Sequence, residues 1–184
     1  MFTKNVQAHP AATVILMRDI SSGIEILLLK RSSRLDFHGG HWVFPGGRID
    51  PSDYQKAKPN DNIIAAARVA AVRETYEESG LKIHEKDLVL MSRWTTPPGF
   101  PKRFKTWFFL CRAPSGTVTI DNQEMTNSKW FAPQIALDAN NQGSIHLPAP
   151  TFYTIQSLIP FSNSGDALHY FTSHPPYKWI GNEY

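Results

Sequence analysis

Runs of apolar residues and the polar breaks between them predict a chain that contains both strands and helices. Residues 12–18 and 25–31 each contain a run of four consecutive apolar residues, and the polar stretch that ends at Gly23 between them predicts a β-hairpin. Similar patterns predict strands at residues 42–44, 88–96, 105–112, 117–120 and 128–131. Helical periodicity predicts one helix that ends at Gly80 and two shorter helices at residues 133–139 and 151–159. The tail after Pro160 has no clear pattern.

The end of the first predicted helix carries three carboxylates within one turn. Glu74 and Glu78 lie one turn apart and Glu77 lies on the other flank of Glu74, so all three side chains point the same way. Arg73 is placed to pair with Glu77 four residues later, and Gly80 ends the helix. The opposite face is predicted to pack on the core through Ala65, Val69, Val72 and Tyr76, while the open acidic side carries only small residues, Ala67, Ala70 and Ala71.

Carboxylates this close together repel one another, so the cluster needs a compensating positive charge. In one interpretation it is a solvated acidic helix end with Arg73 as its counter-ion. In the other it binds a hard divalent cation such as Mg²⁺, which prefers carboxylate and water oxygens and often bridges to substrate phosphates. The upstream sequence Phe44-Pro45-Gly46-Gly47 favours the second interpretation, because two glycines allow the backbone to approach a ligand closely.

Length, composition and charge indicate the number of domains and exclude several classes of site and partner. A chain of 184 residues with 41% apolar residues is predicted to form a single domain over residues 1–184. Its one cysteine, Cys111, excludes an internal disulfide and a Cys-based zinc cluster, and we expect it to be buried in a strand. No apolar leader or membrane-length run is present, so we expect a cytoplasmic protein. A net charge of +3 without long basic blocks argues against nucleic acid as a partner.

The glycine turn and the acidic helix end together resemble the signature of the Nudix hydrolases, G-x5-E-x7-R-E-U-x-E-E-x-G-U, in which U is apolar. Residues 73–81 read R-E-T-Y-E-E-S-G-L and depart from it only at Thr75. Gly47 and Arg73 lie 26 residues apart instead of 14, which predicts an exposed inserted loop at residues 50–62. The first glutamate of the signature has no clear counterpart, because Asp53 keeps the spacing from Gly47 and Ala65 keeps the spacing to Arg73.

This resemblance implies a fold, a cofactor and a reaction. The fold would be the α/β (α+β) Nudix fold, a mixed central sheet between helices. The cofactor would be Mg²⁺ or Mn²⁺, held by Glu74, Glu77, Glu78 and the carbonyl of Gly46. The reaction would be hydrolysis of a phosphoanhydride bond, with Arg73 in the catalytic cluster and the general base left open among Glu74, Glu78 and Glu124.

Residues 27–47 also resemble the additional signature of the coenzyme A diphosphatases, L-L-T-x-R-S-x3-R-x3-G-x3-F-P-G-G. The spacing is kept, but Leu29 replaces the threonine and Asp36 replaces the second arginine. Residues 94–98 and 103–109 resemble the branch that holds the peroxisomal enzymes, although the chain ends in Asn182-Glu183-Tyr184 rather than a peroxisomal signal. The residues predicted to contact substrate are Arg31, Arg103, Phe44 and Trp94; a surface cation or a core aromatic ring is the alternative for each.

The expected substrate is a small molecule of the nucleotide type. The leading prediction is a nucleoside diphosphate linked to another moiety, with coenzyme A or an acyl derivative first among the candidates. The alternatives are a catalytically silent Nudix-fold regulator that binds a nucleotide, and a nucleoside triphosphate pyrophosphohydrolase. We expect a monomer or a homodimer.

Overall fold

The computed structural model describes residues 6–35, 38–57 and 62–180, which form an eight-stranded mixed sheet with helices on both faces. The strands are β1 His9–Ile20, β2 Gly23–Arg31, β3 Trp42–Val43, β4 Gly46–Arg48, β5 Val89–Thr95, β6 Phe104–Arg112, β7 Met125–Phe131 and β8 Tyr177–Ile180. The helices are α1 Pro51–Lys56, α2 Ile63–Ser79, α3 Pro133–Asn141, α4 Ala149–Gln156 and α5 Ser164–Ser173, with a 3₁₀ turn at Glu85–Asp87.

The sheet is organised around β1. One edge of β1 pairs in parallel with β6 along its length, and its other edge pairs first with β4 and then with β2, both antiparallel. Beyond Ile26, β2 leaves β1, and Gly46 and Gly47 of β4 pair instead with Thr13 and Ala12. The departing end of β2 pairs with β3 and β7. The sheet therefore opens beside the glycine turn, and this opening lies next to the C-terminal end of α2.

Two apolar cores lie on opposite faces of the sheet, as alternation along the strands requires. On one face, Val14, Leu16 and Phe109 pack against the alanines of α2. On the other face, Ile15, Met17 and Phe108 belong to a core that includes residues of α3, α4 and α5. The predicted mixed sheet between helices is confirmed. Cys111 is buried on β6, as expected.

Two predictions about secondary structure were wrong, and one segment without a prediction proved to be ordered. Residues 117–120 do not form a strand, because Thr119 N–H donates to Ser79 O and joins the segment to the end of α2. The insertion is not entirely a loop, since residues 51–56 form α1, while residues 58–61 lie outside the described part of the chain. The unassigned tail contains α5 and β8, and Asp19 fixes the start of α5 by accepting hydrogen bonds from Ser164 N and Oγ.

The core-facing side predicted for α2 was wrong in part: Val69 is buried and Val72 packs against the core, but the acidic, small-residue side is buried as well. Its buried side is largely the small-residue side, and Tyr76, predicted to lie in the core, is 51% exposed. Because alanine has little side chain, α2 packs closely against β1 and β4. The helix end therefore presents Glu74 and Glu78 toward β4 rather than toward open solvent. The buried positions of α2 are Ala66, Ala67, Val69, Ala70, Ala71, Thr75, Glu78 and Ser79.

No helix within residues 6–35, 38–57 and 62–180 has the length and apolar character to cross a bilayer.

Candidate active site

The glycine turn of β4 lies directly against two carboxylates of α2. The N–H of Gly46 donates to Glu78 Oε2 at 2.8 Å, and Glu78 is only 6% exposed. A Cβ on Gly47 would overlap the carboxylate of Glu74, and a Cβ on Gly46 would overlap the backbone of β1 at Ala12. A side chain at Gly46 would therefore clash with the backbone of β1, whereas one at Gly47 would have to displace the carboxylate of Glu74.

Arg73 connects the acidic cluster to the rest of the fold. Its Nη1 donates to Glu74 Oε1 at 2.8 Å and to Glu77 Oε2 at 3.0 Å, which confirms the predicted pairing with Glu77. Its Nε and Nη2 donate to the two carboxylate oxygens of Asp53 at 3.1 and 2.8 Å, and Nη2 also reaches Arg48 O at 3.0 Å. These hydrogen bonds raise the pKa of the Arg73 guanidinium, with the bond to Asp53 as the largest cause.

Asp53 also belongs to this cluster, although no role was predicted for it. It lies on α1, within the insertion, and is fully buried. Burial raises the pKa of its carboxyl, but the hydrogen bonds from Arg73 and from the Asp50 N–H outweigh burial and leave the pKa below its ordinary value. Asp53 therefore holds Arg73 as a charged partner. The only indication in the sequence was its position six residues after Gly47.

Glu74 and Glu78 lie in surroundings that oppose their ionisation. Burial is the largest cause of the raised pKa of each carboxyl, and the negative charge of a neighbouring glutamate raises each pKa further. The bond from Gly46 only partly offsets this for Glu78, whose pKa stays well above its ordinary value. Two partly buried carboxylates with too little positive charge between them form a donor set suited to a hard divalent cation.

This donor set consists of two side chains rather than a complete chelate. Within residues 6–35, 38–57 and 62–180, no three acidic, histidine or cysteine side chains converge as a ready-made metal site. The Glu77 side chain is 54% exposed and contacts Arg73, so it lies at the rim of the cluster. Glu74, Glu78 and the adjacent Gly46 fit a cation better than Glu77 does.

Two further predicted residues lie close enough to act on Glu78 electrostatically. Arg31 lowers the pKa of Glu78 and Glu124 raises it, after the larger effects of burial and of the contacts with Gly46 and Glu74. Arg31 ends β2, and the next residue, Ser32, donates its N–H to Glu124 O at 2.7 Å. The carboxylate of Asp121 accepts the N–H of Glu124 and thereby fixes the turn that carries it. The structure thus brings Arg31 and Glu124 to the acidic cluster.

The other residues predicted to contact substrate make contacts within the fold itself. Arg103 donates to Thr96 O at 3.0 Å and to Val6 O at 2.7 Å. Phe44 and Trp94 are buried in the core that faces α3, α4 and α5, where Trp94 stacks on Tyr153. Their contact with substrate stays a prediction. Asp36, which replaces an arginine of the additional signature, lies outside the described residues.

The family follows from a comparison with known domains. A family model described as the NUDIX domain matches residues 7–148. The chain belongs to the Nudix family. A Nudix hydrolase from Alicyclobacillus acidocaldarius has a similar crystal structure, with a TM-score of 0.82, 26% identity, and coverage of 92% of this chain and 99% of that one.

Curated relatives of this Nudix protein include two diphosphatases. The acyl-coenzyme A diphosphatase NUDT19 of Xenopus laevis is 26% identical over 82% of this chain and 63% of its own length. The peroxisomal coenzyme A diphosphatase ndx-8 of Caenorhabditis elegans is 33% identical over 66% of this chain and 49% of its own length. The chain thus spans about half of one relative's length and just under two thirds of the other's. Nudix hydrolases generally use divalent metal ions, which agrees with the donor set of Glu74 and Glu78.

Proposed function

We propose that this protein is a Mg²⁺- or Mn²⁺-dependent diphosphatase that hydrolyses the phosphoanhydride bond of a nucleoside diphosphate linked to another moiety. Coenzyme A and acyl-coenzyme A are the first substrates to test, because two relatives are named for those activities. The additional signature at residues 27–47 supports the same class of substrate. We propose that the catalytic unit is the single domain formed by residues 1–184.

One observation carries this proposal: Glu78 is buried against the Gly46 N–H while the carboxylate of Glu74 lies against Gly47. A diphosphate is densely negative, so it does not approach two carboxylates without a cation between them. When bound, a divalent ion would supply that positive charge and activate water for attack. Glu74 and Glu78, with the carbonyl of Gly46, would hold the ion.

The chain's own residues then position the reactants. Gly46 fixes Glu78 through its N–H, and Arg73 fixes Glu74 and Glu77 through Nη1. Such fixed placement contributes to catalysis because the charges are already oriented when the substrate arrives. Arg31 would bind the outer oxygens of the diphosphate, since its charge already reaches the cluster.

The reaction adds water across the anhydride. The water oxygen bonds to one phosphorus, the bond from that phosphorus to the bridging oxygen breaks, and two phosphate-bearing products leave. The proton of the water passes to a carboxylate, for which Glu74, Glu78 and Glu124 are the candidates. Glu124 is exposed and carried on a turn, so it reaches solvent without disturbing the paired acids.

A substrate panel tests the proposal. Purified protein is incubated with Mg²⁺ or Mn²⁺ and coenzyme A, acyl-coenzyme A, ADP-ribose, NADH, dinucleoside polyphosphates or oxidised dNTPs, and the products are identified by mass spectrometry. We expect cleavage of a diphosphate link, lost in Glu78→Gln and kept in Glu85→Gln, a matched change at an exposed acid outside the cluster. Binding without turnover would instead support a silent regulator. Pyrophosphate release from a dNTP would support a triphosphate pyrophosphohydrolase.

A further inference from the structure

Three imidazole rings lie in a row beside the site. The ring centroids of His38 and His41 are 5.2 Å apart, and those of His41 and His146 are 6.0 Å apart. The rings come from two distant parts of the chain, the segment before β3 and the loop between α3 and α4. We call these three residues the histidine row.

Backbone hydrogen bonds fix the histidine row to the end of β2. Arg31 N–H donates to His41 O at 2.9 Å, and Gly40 N–H donates to Arg31 O at 3.1 Å. The N–H of Trp42 donates to His146 O at 2.9 Å. Because Arg31 also acts electrostatically on Glu78, the histidine row begins beside the arginine that flanks the carboxylates.

The charges around the histidine row are positive on the side of Arg31. Burial is the main cause that lowers the pKa of His38 to about 4, and the positive charges of His41 and Arg31 lower it further. His38 is therefore neutral near pH 7. His38 and His41 are half-buried, and His146 is exposed. Across the described ranges, 6–35, 38–57 and 62–180, no ion pair joins His41 or His146 to a carboxylate. Glu124 approaches the same strand end from β7, and Asp36 lies outside those ranges.

The atoms that would bind an anion are Nε2 of His41 and the ring nitrogens of His146. His41 Nδ1 lies 3.2 Å from Gly39 O, which leaves Nε2 as the second polar atom of that ring. His146 is exposed, and no hydrogen bond of its ring is found among the described residues. An imidazolium donates through both nitrogens, and charge-assisted bonds to phosphate are among the stronger hydrogen bonds in proteins.

We propose that His41 and His146, which lie beside Arg31, bind a phosphate monoester that the substrate carries outside the diphosphate being cleaved. This inference rests on the proposed function, because it places the diphosphate at Glu74 and Glu78. It specifies the substrate class further: compounds with a separate phosphate should be preferred over otherwise identical compounds without one.

The test compares two pairs of compounds that differ by one phosphate monoester, coenzyme A with 3′-dephospho-coenzyme A, and NADPH with NADH. The ratio of kcat/KM within each pair is measured for the parent, His41→Gln, His146→Gln and the double variant. His169→Gln is the matched control, since His169 is an exposed histidine on α5. Thermal unfolding confirms that each variant is folded.

We expect the parent to have a higher kcat/KM for the member of each pair that carries the extra phosphate. In the double variant this kcat/KM ratio should fall by about tenfold, mainly because KM for the phosphorylated member rises, as expected for loss of a hydrogen bond to a charged group. A parent ratio near one, or an unchanged ratio in the double variant, would overturn the inference while leaving the diphosphatase proposal intact.

A second readout does not require turnover. Inorganic phosphate is titrated into the full chain while the C2–H resonances of the histidines are followed by NMR. Shifts at His41 and His146, but not at His169, support the subsite even if none of the panel is hydrolysed, in which case only the proposed function fails. Equal shifts at all three histidines, or none, would contradict the subsite.

Discussion

Replacing Asp53 with asparagine should destabilise the protein and weaken catalysis together. Asp53 is fully buried and receives two hydrogen bonds from Arg73, at 3.1 and 2.8 Å. Asparagine keeps the size of the side chain and an acceptor for the Asp50 N–H, but it removes the negative charge. Arg73 would then remain beside a neutral group in a position where its own side chain is only 20% exposed.

The size of the expected loss of stability depends on the hydrogen bonds that Arg73 keeps in the variant. Breaking a buried ion pair by removing one partner costs about 3–5 kcal/mol. Arg73 would still contact Glu74, Glu77 and Arg48 O, so we expect a loss near the lower end, about 3 kcal/mol. For a chain of this size, that corresponds to a fall of about 6–12 °C in the thermal midpoint. Because Arg73 also holds Glu74, kcat should fall by about tenfold or more.

Urea and thermal unfolding measure the loss, with Asp50→Asn as the matched control. The carboxylate of Asp50 is exposed and lies 3.7 Å from Arg73, so its loss should cost well under 1 kcal/mol, as for surface ion pairs. The pKa of Asp53 is lowered by folding; its stabilisation is therefore present above the unfolded pKa and is lost as the pH falls through the folded pKa. The asparagine variant should lack that part of the acid sensitivity. Equal unfolding free energies for the two variants would refute the role assigned to Asp53.

Three further changes test other parts of the cluster. Glu78→Gln should reduce turnover by orders of magnitude, and equal rates for variant and parent would contradict the proposed mechanism. It should also raise the thermal midpoint in EDTA, because a neutral amide replaces a buried carboxyl whose ionisation is disfavoured. Thr75→Val should raise the midpoint by about 2–4 °C, because the buried Thr75 Oγ1 has no hydrogen-bond partner among the described residues, and a lower midpoint would contradict this. Gly47→Ala should leave the fold nearly as stable but reduce kcat by about tenfold or more, because its Cβ would displace the Glu74 carboxylate; unchanged kcat would show that the close contact is unimportant.

Much of the fold was predictable because the relevant information is local. The hairpin of β1 and β2 follows from two apolar runs and a polar turn, and the structure confirms it. The end of α2 at Gly80 follows from a residue that adopts the left-handed conformation there, with φ of 70°. The grouping of Glu74 and Glu78 follows from helical spacing alone.

The rest depends on contacts between distant segments. The buried side of α2 was partly misassigned because alanines give a weak hydrophobic signal, although their small size is what lets the helix approach the sheet. Tyr76 was placed in the core by periodicity, yet it is exposed and lies near Lys82, 5.5 Å from the ring centroid to Nζ. The histidine row was unpredictable for the same reason, since His146 is more than 100 residues from His41 along the chain.

The insertion shows that the Nudix signature describes a spatial arrangement more than a spacing in sequence. Twelve extra residues separate Gly47 from Arg73, yet Asp53 still bonds Arg73 across 20 positions. This is possible because α1 begins immediately after β4 and Asp53 anchors it by accepting the Asp50 N–H, so the added length falls after Asp53. A chain that keeps an acid close behind the glycine turn can therefore lengthen the connection to α2 without disturbing Arg73. On this reasoning, shortening residues 58–61 should affect stability less than Asp53→Asn does, and a comparison of their unfolding free energies would decide the point.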